Sequence, residues 1–211
     1  MNTVGKPRIG ILGGSFNPIH MGHLLLAQCA LEDFDLEKVL FMPCFIQPHK
    51  DPMMLAPTEH RVAMLEQALQ DNLQFELLDI EIVRGGPSFA VDSVREIRRL
   101  HPEAELFFII GADTLTELHL WRDIYALLEL CSFATISRPG SDIAELTEPD
   151  LSLDPPWPAK LLASVARGRM VDISSSDIRH RVAEGMSIRY LVPALVEMYI
   201  TEHRLYQNRC R

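Results

Sequence analysis

Apolar residues fall along this chain in short runs that alternate with longer stretches of helical spacing. Residues 8–12 (RIGIL) form an apolar run closed by Gly13 and Gly14, the pattern of a buried strand entering a tight turn. Over residues 23–34, Leu24, Leu25, Ala27, Ala30, Leu31 and Phe34 mark one face of a helix. A second strand-like run, 39–42, stops at Pro43, and the proline-containing stretch 43–57 reads as a long loop. Long loops in compact domains are often functional. Thr58 is a candidate N-cap for a helix to residue 69. Residues 75–83 read as a third strand, and 92–100 as a helix with Val91, Val94 and Ile97 on one face. Residues 106–110 (LFFII) form the clearest strand, apolar on both faces as in a parallel sheet. A helix over 124–130, a strand over 133–136, a polar exposed loop over 138–158 and a last strand over 170–173 follow. Helices over 176–184 and 193–202 complete the pattern.

This alternation predicts an α/β fold: an open, mostly parallel Rossmann-like sheet with helices on both faces and a small helical C-terminal segment. It is read as one domain over 1–211, with residues 174–207 as its helical C-terminal portion. Ligands of such sheets sit beyond the carboxyl ends of the strands.

Composition narrows the ligand. With 211 residues, 47% hydrophobic and 23% charged, the chain is an ordinary globular one. Its formal net charge of −9, from 29 acidic against 20 basic residues, excludes bulk nucleic-acid binding, which rests on phosphate neutralisation. A phosphorylated ligand must then meet a local basic pocket. The four cysteines are scattered without metal-ligand spacing, and no apolar run approaches the ~20 residues of a membrane span. No secretory h-region follows Met1, so the expected location is the cytoplasm and no membrane partner is expected.

Three segments carry chemistry, and each follows a predicted strand. In the first, GGSFNPIHMGH (13–23), Gly13 and Gly14 let the backbone approach a ligand, and His20 and His23 project from one face of a helix start. Helix N-termini attract anions, and two imidazoles there could donate to phosphoryl oxygens. A pair of surface histidines beside a Gly-rich turn fits the same residues. A zinc pair is disfavoured because no carboxylate or cysteine cluster completes a shell. The glycine spacing is also not that of the GxGxxG fingerprint. In the second segment, ISSSDIR (173–179), Ser174, Ser175 and Ser176 precede Arg179, a set suited to di- or triphosphate oxygens or to a plain serine cap. The third holds Gly111 and Asp113 at a strand end, with Trp121 beyond. Asp113 can accept from ribose hydroxyls, and Trp121 can stack on a planar heterocycle or fill a core.

GGSFNPIHMGH is similar to the GG(T/S)FDPxHxGH signature of the HxGH nucleotidyltransferases, and ISSSDIR to their ISSTxIR motif. Further segments resemble the bacterial nicotinate-mononucleotide adenylyltransferases: QPHK (47–50), GPSFAVD (86–92), FIIGAD (108–113), SRPG (137–140) and IRYLVP (188–193). The resemblance runs from Ile9 to Tyr206. Asn17 departs from the usual Asp, Ser15 from the commoner Thr, and Ala90 from a frequent Thr; Asn17 keeps an acceptor for the turn.

The resemblance implies transfer of the adenylyl group of ATP to nicotinate mononucleotide, giving deamido-NAD and pyrophosphate in NAD biosynthesis. It implies Ser15, His20, His23 and Lys50 as catalytic residues. Gly13, Gly14, Ser15, Phe16, His23, Gly111, Asp113, Ser174, Ser175, Ser176 and Arg179 are implied for ATP. Ser88, Phe89, Ala90, Trp121 and Arg138 are implied for the mononucleotide. Mg²⁺ would be carried mainly by the ATP phosphates, with no dedicated protein metal site. Competing readings are a nicotinamide-mononucleotide or pantetheine-phosphate adenylyltransferase of the same superfamily, and a non-catalytic nucleotide-binding protein.

Overall fold

The computed structural model describes residues 5–46, 55–137, 146–169 and 172–207. Six strands form one parallel sheet in the order β3-β2-β1-β4-β5-β6. They are β1 (Arg8–Gly14), β2 (Lys38–Pro43), β3 (Phe75–Leu77), β4 (Glu105–Gly111), β5 (Ser132–Ser137) and β6 (Val165–Arg167). The chain winds outward from β1 through β2 to β3, then returns to place β4 on the other side of β1. The order therefore reverses between β1 and β4, where open α/β sheets form a ligand crevice.

Strand alternation sorts the core into two layers. One face of the sheet presents Leu12, Val39, Phe41, Phe107, Ile109, Ala134 and Ile136. It is covered by α1 (Met21–Asp33), α2 (Thr58–Leu69), α7 (Ser175–Ala183) and α8 (Ala194–Glu202), which contribute Ala27, Leu65, Ile178 and Val196 among others. The opposite face presents Ile9, Ile11, Leu40, Met42, Leu106, Phe108 and Ile110. Against it pack α4 (Ala90–Leu100), α5 (Ile124–Leu130) and α6 (Trp157–Ala163), through Val94, Ile97, Leu127 and Leu161. The short helix α3 (Ile80–Arg84) joins β3 to the loop before α4. The burial of alternate residues on opposite faces is why both sides of each central strand are apolar.

Several expected boundaries move. The strand expected over 75–83 ends at Leu77, and residues 80–84 form α3 instead. The two consecutive leucines at 77 and 78 break the alternation, and a helical turn lets the chain bury Glu81 rather than expose it along an edge strand. The last strand is Val165–Arg167, not 170–173; residues 172–174 are irregular and 170–171 lie outside the described residues. Its register, Thr135↔Val165 to Ser137↔Arg167, is set by β5. The segment 138–158, expected to be an exposed loop, holds a 3-10 turn over Glu148–Leu151 and the start of α6. Leu151 is fully buried there, anchoring the turn to the second core layer. Residues 138–145 lie outside the described residues.

Candidate active site

The strand β1 ends at Gly13 and Gly14, and two cavities open on either side of this ridge. The larger, of about 620 Å³, is lined by Gly13, Gly14, Ser15, His23, Gly111, Asp113, Ser174, Ser175, Ser176 and Arg179, with His20 at its wall. The smaller, of about 210 Å³, is lined by Gly13, Gly14, Ser88, Phe89, Ala90 and Trp121 among others. The larger one opens on the α1 and α7 face and the smaller on the α4 face. The structure thus separates the residues expected for ATP from those expected for the mononucleotide, and joins the two groups across two glycines. Phe16 lines neither cavity. Its ring is 1% exposed and packs against Phe41 and the edge of His23, so only its backbone can face a ligand. Lys50 and Arg138 lie outside the described residues.

The histidine pair is oriented by its own backbone. His20 is the N-cap of α1, and the two rings form a reciprocal capping box. The His20 side chain accepts from the His23 backbone N–H, and His23 Nδ1 accepts from the His20 N–H at 3.3 Å. A neutral His23 that accepts at Nδ1 carries its proton on Nε2, the nitrogen able to donate outward. The rings stack at 3.7 Å between centroids with 27° between planes, so neither can rotate without displacing the other. His20 is 6% exposed, whereas His23 reaches the cavity wall.

Residues 15–18 are held from every side. Phe16 adopts φ 44, a left-handed conformation that costs a non-glycine residue roughly 1–2 kcal/mol. Fixed contacts offset it: Arg61 Nη1 donates to Ser15 O at 2.8 Å, Arg179 Nη1 to Asn17 O at 2.8 Å, and Ser175 Oγ to Pro18 O at 3.0 Å. The Asn17 amide oxygen accepts from the Ala56 N–H at 3.0 Å and from the Tyr206 hydroxyl at 2.9 Å. Burial pushes the Tyr206 phenol well above its usual range, so it remains a donor. A side-chain oxygen at position 17 is therefore what this turn uses, and Asn supplies it.

The serines divide the work at the start of α7. Ser174 is the N-cap, accepting from the Asp177 N–H at 3.1 Å, while Ser176 Oγ accepts from Arg179 Nη2 at 3.2 Å. Arg179 thus bridges α7 to the Gly-rich turn while lining the larger cavity. Gly111 lies against Asp113: a Cβ there would stand 2.5 Å from the Asp113 carboxylate, so the carboxylate's position at the rim depends on glycine.

In the smaller cavity, Trp121 stands edge-on to Phe108, with centroids 5.6 Å apart at 82°. Ala90 opens α4 behind the N-cap Phe89, and its N–H is one of the first-turn donors that a helix does not use internally. Ser88 Oγ accepts from the Phe45 N–H at 3.0 Å, tying this wall to the end of β2.

Four residues at the site were not singled out in the sequence. Arg61 is 1% exposed, and its recorded partners are neutral oxygens: Ser15 O, Ala56 O, Phe45 O and Thr58 Oγ1. It was signalled by a cation on the apolar face of α2, three and four residues before Met64 and Leu65. Glu81, 4% exposed, lines the smaller cavity and accepts from Ser93 Oγ at 2.5 Å. Burial raises its carboxyl pKa against the lowering effect of Ser93, Ser88 and Arg84. Arg122 lines the smaller cavity and Arg169 the larger. Nothing in the residue pattern distinguished these two arginines from surface cations.

Residues 11–181 match the family model described as cytidylyltransferase-like. A relative from Desulfitobacterium hafniense, named a probable nicotinate-nucleotide adenylyltransferase, is 44% identical over 98% of this chain and 100% of its own length. A Thermus thermophilus protein of the same name is 42% identical over 95% of this chain and 100% of its own. The solved structure of Plasmodium falciparum nicotinic acid mononucleotide adenylyltransferase, complexed with NaAD, superimposes with a TM-score of 0.72. That match covers 95% of this chain and 97% of the other at 20% identity, a likeness of fold. With a family model spanning most of its length and relatives alike from end to end, the chain belongs to the cytidylyltransferase-like family and, within it, to the nicotinate-nucleotide adenylyltransferases.

Proposed function

We propose that this protein transfers the adenylyl group of ATP to nicotinate mononucleotide, releasing pyrophosphate and giving deamido-NAD for NAD biosynthesis. The observation that carries the reading is the pair of cavities meeting at Gly13 and Gly14. A nucleotide triphosphate on one side and an aromatic mononucleotide on the other would bring their phosphates together over that ridge.

The attacking phosphate is already an anion at neutral pH, so no general base is required. Rate enhancement then rests on alignment and on donors aimed at developing charge. His23 donates through Nε2 to the α-phosphate region, and Ser15 adds its hydroxyl, with His20 fixing the His23 ring. Ser174, Ser175, Ser176 and Arg179 hold the β,γ-phosphates, and Gly111 and Asp113 face the ribose. Lys50 neutralises the reacting phosphates. Trp121 covers the pyridine ring while the backbone at Ser88, Phe89 and Ala90 meets its carboxylate; Arg138 serves the mononucleotide phosphate.

A divalent cation, read as Mg²⁺, accompanies ATP. Among the described residues no group of three or more His, Cys, Asp or Glu could cage a metal. When bound it would neutralise phosphate charge. Asp113 is the one carboxylate among the described residues lining the larger cavity.

The chain is read as one nucleotidyltransferase domain over 1–211, supported by α7 and α8 packing into the same core layer as α1. A cytoplasmic location fits the buried thiols of Cys29, Cys44 and Cys131. Among the described residues no helix is long and apolar enough to cross a membrane.

The test is turnover with ATP, Mg²⁺ and each mononucleotide at equal concentration. Pyrophosphate release with a clear preference for the acid supports the reading. No transfer to either compound defeats it, and a preference for the amide replaces its substrate.

A further inference from the structure

Resting on that reading, we propose that Arg122 is a specificity-determining residue, the cation that favours the acid mononucleotide over its amide in the smaller cavity. Among the described residues lining this cavity, the charged side chains are Arg122 and Glu81. Glu81 is 4% exposed, and its carboxyl group is already engaged by Ser93 at 2.5 Å and approached by Arg84 at 3.8 Å. Of the two, Arg122 is the charged side chain left exposed to meet a ligand.

The guanidinium is also placed to meet a planar anion. Its carbon lies 4.5 Å from the centroid of the Phe89 ring, over its face, a cation–π contact that holds the group against the cavity wall. A guanidinium carries its N–H donors in a planar fork that matches a carboxylate in a two-pronged contact. Asp92 Oδ2 approaches Arg122 at 3.8 Å, while its other oxygen is engaged by Arg95 at 3.2 Å. That leaves Arg122 loosely paired. Trp121, the preceding residue, lines the same cavity, so a ring lying against the indole shares that space with the guanidinium.

The two mononucleotides share a ring, a ribose and a phosphate and differ by one charge, carboxylate against carboxamide. A contact from Arg122 to the phosphate would serve both; a contact to the ring substituent serves the acid alone. Because the Arg122 side chain is 53% exposed, solvent screens the pair, and the effect belongs at the low end for a charge-assisted bond.

Steady-state kinetics at saturating ATP, with both mononucleotides, would be measured on the wild type, Arg122→Ala and Arg122→Lys, with melting temperatures as a check on folding. Arg122→Ala should lower kcat/KM for the acid about tenfold and leave the amide nearly unchanged, with Arg122→Lys in between. Equal losses on both compounds, or an undiminished acid reaction, would overturn the assignment while leaving the adenylyltransferase reading in place. A wild type that uses neither compound would defeat that reading and this inference together.

Discussion

At His23 a single imidazole is held by one nitrogen and works with the other. The His20 N–H occupies Nδ1, the stacked His20 ring blocks rotation, and the proton is left on Nε2. His23→Ala should therefore lose a fixed donor without losing core packing, since the ring is only partly buried. Turnover is expected to fall by about 10²–10³ with little change in melting temperature. Near-normal turnover in the purified variant would remove His23 from the chemistry. Arg179 has a mixed role. Because it also clamps Asn17 O, Arg179→Ala should raise the KM for ATP by roughly one to two decades and lower kcat as well. A larger rise in the mononucleotide KM would move this arginine to the other half of the site.

Among the elements, α3 and α4 form the wall behind the smaller cavity, and Glu81 fastens one to the other. Its carboxyl accepts from Ser93 of α4, and Ser93 in turn accepts from Arg84 at 2.7 Å. Arg84 also pairs with Glu96 at 3.1 Å. Desolvation raises the Glu81 pKa on folding, so the folded state holds the Glu81 proton more tightly than the unfolded chain. The stability this contributes is complete below the ordinary carboxylate range and is lost as pH rises through the raised value. Glu81→Gln has no proton to lose. Its stability relative to wild type should increase as pH is raised from the acid side through that window, read by urea unfolding at a series of pH values. A constant difference across the series would mean that Glu81 does not titrate differently in the folded and unfolded chain.

Over the whole molecule, periodicity made the central strands and the long helices legible because their apolar faces are buried. Residues 106–110 fall within β4 and 124–130 span α5. It failed at the edges, where β3 and β6 are three residues each and their positions follow from pairing with β2 and β5. The Gly-rich turn and the serine cap were legible as local patterns. Glu81, Arg122 and Arg169 were not, since a charge acquires meaning only when folding turns it toward a cavity. Arg61 lay between these cases: its helical position was readable, but its carbonyl partners at Ser15 and Phe45 come from distant segments. The ridge at Gly13 and Gly14 also bears on what happens after the chemistry. A dinucleotide product fills both cavities as one tethered molecule, and when one end lets go the other keeps it at high local concentration, so recapture competes with escape. Product departure, not bond formation, should then limit steady-state throughput. A rapid-quench time course is expected to show a first-turnover burst stoichiometric with enzyme, whereas a trace linear from the start would place the slow step at or before transfer.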